Sequence, residues 1–148
     1  MKNVYVDASV LLRVILGEPR QLVEWDELEA PVTSALVEVE GMRTIDRATR
    51  RATHPRRRLL SQAEADGARA LLHELLEMFA RVEIDRVILS RAGQLAGPLG
   101  TLDALHLATA LAWKDITGAT PVMATHDPEL AAAARAHGLR IIGAPTSL

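Results

Sequence analysis

The sequence predicts a three-layer α/β/α fold around a central parallel sheet of about five strands, and three observations point to it. Short β-like runs alternate with segments of helical periodicity, the pattern of strands joined by covering helices. The length of 148 residues, 49% hydrophobic and 24% charged, suits one globular domain able to bury a genuine core. No internal repeat, low-complexity linker or second-domain boundary interrupts the chain, so residues 1–148 are read as a single domain.

Taken in order, Val4-Tyr5-Val6-Asp7 is the first strand. Residues 9–16 follow as an apolar helix ended by Gly17 and Pro19, and residues 20–29 read as a second, acidic amphipathic helix. Pro31-Val32-Thr33 is a short second strand. Ser34 is placed to cap a longer helix through Leu36, Val39, Met42 and Ile45, which fades into an arginine-rich stretch near His54-Pro55. Ser61 with Glu64 forms a capping box for a helix through Leu71, Leu72, Leu75, Leu76 and Phe79. Val82-Glu83-Ile84 is the third strand, residues 85–95 are helical, and Gly97-Pro98 breaks that helix. Thr101 then caps a helix over 102–113. Val122-Met123-Ala124 is the next strand, Asp127-Pro128 opens an alanine-rich helix to His137, and Gly138 ends it before a last strand over 139–142.

Composition narrows the chemistry. With no cysteine there is no disulfide framework, and a metal would have to be held by carboxylate, imidazole or carbonyl groups. Carboxylates favour magnesium or manganese. No run approaches the length of a membrane span, and the chain starts directly on a strand-like segment without a charged leader, so a cytoplasmic protein with no membrane partner is expected. The net charge of -2 hides a strong segregation. Residues 43–58 carry seven arginines (Arg43, Arg47, Arg50, Arg51, Arg56, Arg57 and Arg58) against the single acid Asp46, which leaves the remaining residues at -8. A basic track beside an acidic cleft suits a polyanionic partner, while a solvated helix end or a surface for an acidic protein accounts for the charge equally well.

The acids fall where an open α/β sheet binds its ligands, outside the carboxyl ends of the strands at the point where strand order reverses. Asp7 closes the first strand, Asp127 follows the 122–124 strand, Asp103 lies in the first turn of a helix, and Glu40 lies in the helix after the second strand. If the first and fourth strands are neighbours, all four carboxylates can meet at one sheet edge. Singly, Asp127 is a good helix cap, Asp103 complements a helix dipole and Glu40 could be solvated. Asp7 is costlier to explain away, because a carboxylate ending an apolar central strand needs a partner. Two such charges 4 Å apart repel by about 4 kcal/mol at an effective dielectric near 20, so a cluster must take up protons or a cation.

Four segments carry a family resemblance. Val4-Tyr5-Val6-Asp7-Ala8-Ser9-Val10-Leu11-Leu12, Ser34-Ala35-Leu36-Val37-Glu38-Val39-Glu40, Leu102-Asp103-Ala104-Leu105-His106-Leu107-Ala108-Thr109-Ala110 and Ala124-Thr125-His126-Asp127 resemble, in order and spacing, the four acidic motifs of VapC-like PIN-domain ribonucleases, the toxins of type II toxin–antitoxin systems. The resemblance implies a PIN-like fold and a Mg2+- or Mn2+-dependent endoribonuclease. It carries over Asp7, Glu40, Asp103 and Asp127 as the catalytic, metal-holding quartet, with Ser9 and Thr125 as polar neighbours. Homodimerisation, a cognate antitoxin that occupies the cleft, and a transfer RNA or ribosomal RNA substrate are likewise implied by resemblance.

Several neighbours need separating. Glu38 competes with Glu40, but two helical positions differ by about 200°, so only one can face the cleft, and the family's serine-to-glutamate spacing selects Glu40. Arg43, one turn further, is expected to share that face and touch a phosphate or the carboxylates. His106 and His126 are read as structural, since a metal can supply hydroxide without a histidine. Arg47, Arg50, Arg51, Arg56, Arg57 and Arg58 are candidates for RNA or partner binding, and Arg56, Arg57 and Arg58 are expected to be solvated and dispensable for the fold. If Asp7 sits among mutually repelling charges, Asp7→Asn is expected to leave the metal-free protein at least as stable as the parent. A dehalogenase-like phosphatase would need an acid where Ser9 stands, and a receiver domain would need extra acids near the first strand and a late lysine. The rival from a different class is a PIN-like domain that binds RNA or protein without cutting.

Overall fold

A computed structural model describes residues 1–51 and 58–144. Among them run β1 (Val4–Val6), α1 (Ala8–Ile15), β2 (Val32–Ser34), α2 (Leu36–Arg50), α3 (Gln62–Glu77), β3 (Ala80–Val82), α4 (Arg86–Gln94), α5 (Thr101–Thr117), β4 (Val122–Ala124), α6 (Pro128–Ala136) and β5 (Arg140–Ile142). All strand pairs are parallel and the sheet order is β3-β2-β1-β4-β5. The three-layer reading therefore holds.

The layers follow from strand alternation. Successive side chains of β1 point to opposite faces, and all three are buried, so each face needs its own cover. Val4 and Val6 pack with Val10, Leu11, Ile45 and Leu72 under α1, α2 and α3. Tyr5 packs on the other side with Leu107, Met123 and Leu130 under α5 and α6. The α2 stripe is Val37, Gly41, Ile45 and Ala48, while Val39 is 60% exposed. At Gly41 a Cβ would stand 2.7 Å from a methyl carbon of buried Leu72, so the close approach of α2 and α3 requires the missing side chain.

Most expected elements are present with ends shifted by a residue or two. The helix expected over 20–29 is not. That segment holds a single 3-10 turn at Trp25–Glu27, and Arg20 and Ala30 adopt φ of 59° and 47°. The core takes Leu22, Trp25 and Leu28, a spacing of three that suits such a turn and would drift off one face of an α-helix. The third strand lies at Ala80–Val82 rather than 82–84, because its register is set by pairing Val32 with Ala80 and Ser34 with Val82. The β-branched Ile84 is left to the connection, which Asp85 closes by capping α4. The Ser61 and Glu64 capping box is formed. Thr101 is the first residue of α5 instead of its cap, with Gly100 in the cap position. Ser34 ends β2, and its hydroxyl still accepts from the Leu36 N–H at 3.2 Å. None of the described helices is long and apolar enough to cross a membrane.

Candidate active site

The sheet reverses between β1 and β4: the chain lays β2 and β3 on one side of β1, then crosses to lay β4 and β5 on the other. That is where an open parallel sheet leaves a crevice at its carboxyl edge. Pairing of Val6 with Ala124 brings the residues after both strands together. Asp7, 4% exposed, caps α1. Its Oδ2 accepts from the Ser9 N–H at 3.2 Å, the Ser9 hydroxyl at 2.5 Å and the Thr125 hydroxyl at 3.0 Å. The Ser9 Oγ in turn accepts from the His126 N–H, and the Thr125 Oγ1 from the Asp127 N–H, both at 3.0 Å. This network ties the end of β1 to the loop after β4. Asp127 then caps α6, its Oδ1 accepting from Glu129 and Leu130 N–H groups at 2.8 and 2.9 Å.

Glu40 reaches the same edge from α2 through His106 of α5. The imidazole is buried, with Nε2 at 2.8 Å from Glu40 Oε2 and 3.5 Å from Asp7 Oδ1, and Nδ1 at 2.8 Å from the Tyr5 hydroxyl. One ring thus touches two of the four acids. Burial alone would push its pKa down, but the hydrogen bond to Glu40 and the charges of Asp7, Glu40 and Asp103 outweigh it and raise the value. Burial, then the Asp7 charge, holds the Tyr5 hydroxyl well above the usual tyrosine range, so it stays protonated. Glu38 points elsewhere and pairs with Arg81 at 3.3 Å, as expected if Glu40 is the inward residue.

Asp103, in the first turn of α5 and half-buried, completes the edge. Its carboxyl is raised to about 6, by burial first and then by the charges of Asp127 and Asp7. Asp103 therefore feels Asp127 and Asp7, while Glu40 is linked to Asp7 through His106. Among the described residues no three His, Asp or Glu side chains form a ready-made metal-binding group. The donor chemistry still fits a hard divalent cation, since magnesium retains several waters and needs only one or two protein carboxylates. A carboxyl raised by burial and by its neighbours' charge is also one that an added cation would relieve.

A family model described as PIN domain matches residues 4–136. The chain belongs to the PIN-domain family. PIN domains are generally nucleases. No curated protein matches this PIN domain. Among solved structures it resembles a toxin–antitoxin complex from Klebsiella pneumoniae, at TM-score 0.62 and 17% identity, covering 87% of this chain and 90% of that one. It also resembles VapBC2 from Rickettsia felis bound to a DNA fragment from their promoter, at TM-score 0.63, 12% identity and coverages of 95% and 97%. PAE2754 from Pyrobaculum aerophilum aligns at TM-score 0.60 and 19% identity, over 94% of this chain and 83% of that one. At these identities the likeness to solved structures is one of fold.

Among the described residues, Arg43, Arg47, Arg50 and Arg58 pair with groups other than the four acids. Arg43, expected against the cleft, pairs with Asp46 at 3.3 Å, and Arg50 pairs with the same acid at 3.2 Å. Arg47 donates to the Thr44 hydroxyl at 2.8 Å, and Arg51 is exposed at the end of α2. Arg58 forks onto Glu64 at 2.9 and 2.5 Å at the start of α3 while its side chain stays largely exposed. Arg56 and Arg57 lie outside the described residues. What the sequence reading lacked was the link from His106 to Glu40 and Asp7. A signal for it exists: His106 stands one helical turn from Asp103, and Tyr5 is the single polar side chain within β1.

Proposed function

We propose that this PIN domain is a Mg2+- or Mn2+-dependent endoribonuclease, the toxin of a VapBC-type toxin–antitoxin pair. What supports the reading is that Val6 pairs with Ala124 so that Asp7 stands beside the loop leading to Asp127, that His106 links Glu40 with Asp7, and that burial with the charges of Asp127 and Asp7 raises the Asp103 carboxyl to about 6. A bound divalent ion supplies an activated water and stabilises charge on the leaving phosphodiester oxygen. The protein's part is orientation. Ser9 and Thr125 fix the Asp7 carboxylate, the helix N-terminus fixes Asp127, and the fold delivers Glu40 and Asp103 from separate helices. The toxin–antitoxin assemblies among the solved structures support a cognate antitoxin as partner. A homodimer acting on RNA in the cytoplasm, with transfer RNA or ribosomal RNA as substrate, completes the proposal.

Purified protein freed of any partner should cut a mixed RNA pool in magnesium or manganese and stop in excess chelator. Cleavage that continues unchanged in chelator removes the metal from the mechanism, and an RNA pool left intact under every metal condition leaves a binding-only PIN domain.

The arginines at the end of α2 supply a second expected result. Replacing Arg47, Arg50 and Arg51 by glutamine should weaken RNA binding and reduce the slope of log affinity against log salt by up to about one unit per lost phosphate contact. These side chains are exposed, so the fold should be retained. An unchanged salt slope with weakened antitoxin binding would assign this end of α2 to the protein partner.

A further inference from the structure

We propose that His106 is a positioning residue for Glu40: its Nε2–H holds the glutamate carboxylate at the acidic edge, and Tyr5 clamps the ring so that it can do so. The inference rests on the metal-site reading above and adds a residue outside the four acids. Glu40 rides on α2 with a flexible side chain that is 15% exposed, and among the described residues its carboxylate is tied to the rest of the protein only through His106 at 2.8 Å. The imidazole has little freedom of its own. It is 1% exposed, its Nδ1 meets the hydroxyl of fully buried Tyr5 at 2.8 Å, and the two rings pack edge to face with centroids 6.1 Å apart. Turning the ring would break both hydrogen bonds at once.

The direction of the Glu40 bond does not depend on the charge of the ring. An ionised carboxylate only accepts, so Nε2 carries the hydrogen whether the imidazole is neutral or protonated. The same nitrogen lies 3.5 Å from Asp7 Oδ1, so the ring stands between an acid from α2 and an acid at the end of β1 that Ser9 and Thr125 already hold. Packing alone would be met by leucine at this position. A buried histidine whose two nitrogens are both matched, one of them aimed at the acidic edge, is more than packing requires.

Direct Mn2+ binding, read by the loss of free-ion electron paramagnetic resonance signal, tests this without reference to cleavage. E40Q should weaken Mn2+ binding. H106L should weaken it by about 10–100-fold, the usual effect of removing a hydrogen-bonding partner of a metal ligand. Y5F, which keeps the ring, should show a smaller loss, and H106Q, whose amide presents a donor near the Nε2 position, should recover part of the affinity lost in H106L. The deciding result is the double variant H106L/E40Q: it should bind Mn2+ no more weakly than E40Q alone, because His106 acts through Glu40. Parental or tighter Mn2+ binding by H106L, or losses that multiply in the double variant, overturns the positioning role. If E40Q binds Mn2+ like the parent, Glu40 itself leaves the metal site and that part of the proposed function fails with it. Should H106L not fold, H106Q and Y5F decide: both binding like the parent overturns the proposal.

Discussion

Asp7→Asn should abolish RNA cleavage and, at the same time, lower the stability of the metal-free protein by about 1–3 kcal/mol. The stability loss comes from donors. Oδ2 accepts from the Ser9 N–H, the Ser9 hydroxyl and the Thr125 hydroxyl, while Oδ1 faces His106 Nε2 at 3.5 Å. An asparagine can turn its oxygen toward the first three, but its amide hydrogens then confront the Nε2–H of His106. Turned the other way, they confront Ser9 and Thr125. Either orientation sets donors against donors in a site that is 4% exposed. This reverses the expectation from sequence, where relief of charge repulsion was to leave the variant at least as stable. Added magnesium should also raise the melting temperature of the variant less than that of the parent, since stabilisation follows ligand affinity. Melting curves with and without magnesium, run beside a cleavage assay, separate the cases. A destabilised variant that cuts at the parental rate removes Asp7 from the site, and a variant as stable as the parent means that repulsion outweighs the lost hydrogen bonds.

That reversal illustrates what a sequence carries and what it does not. The order of strands and helices was legible because it depends on local periodicity and caps: Ser61 with Glu64, Asp127 with Pro128, Gly138 after α6. The acids could be assigned to strand ends and helix starts for the same reason, and parallel alternation made β1 and β4 candidates for neighbours. The donors around Asp7 were not legible, since Thr125 meets it only through the pairing of Val6 with Ala124 across 118 residues of chain. The same holds for His106, whose partners Tyr5 and Glu40 lie 101 and 66 residues away. Amphipathic composition misled over residues 20–29, where the apolar spacing of three and the backbone at Arg20 and Ala30 favour an irregular loop.

Asp103→Asn should also cost cleavage by orders of magnitude, with the opposite effect on metal-free stability. The Asp103 carboxyl is raised to about 6 by burial and by the charges of Asp127 and Asp7, so the folded state holds its proton more tightly than the unfolded chain does. Its favourable contribution is therefore fully present below about pH 4, the unfolded value, and is lost as pH rises through about 6. Asparagine imitates the protonated form and does not ionise. The variant should match the parent near pH 4 and exceed it at pH 7.5 by about 1 kcal/mol at most, because the half-exposed position is screened by solvent. His106, whose raised value adds a loss of stability at higher pH, is raised in part by the Asp103 charge, so the difference between the two stability profiles reports Asp103 together with its coupling to His106. Magnesium should invert the ranking at pH 7.5, stabilising the parent more than the variant, and this advantage should shrink toward pH 5 as protons compete for the carboxylate. Denaturant melts of both proteins from pH 4 to 8, with and without magnesium, measure all of this. Parallel profiles across that range would place Asp103 outside the acidic cluster, and parental cleavage by the variant would take it out of the active site.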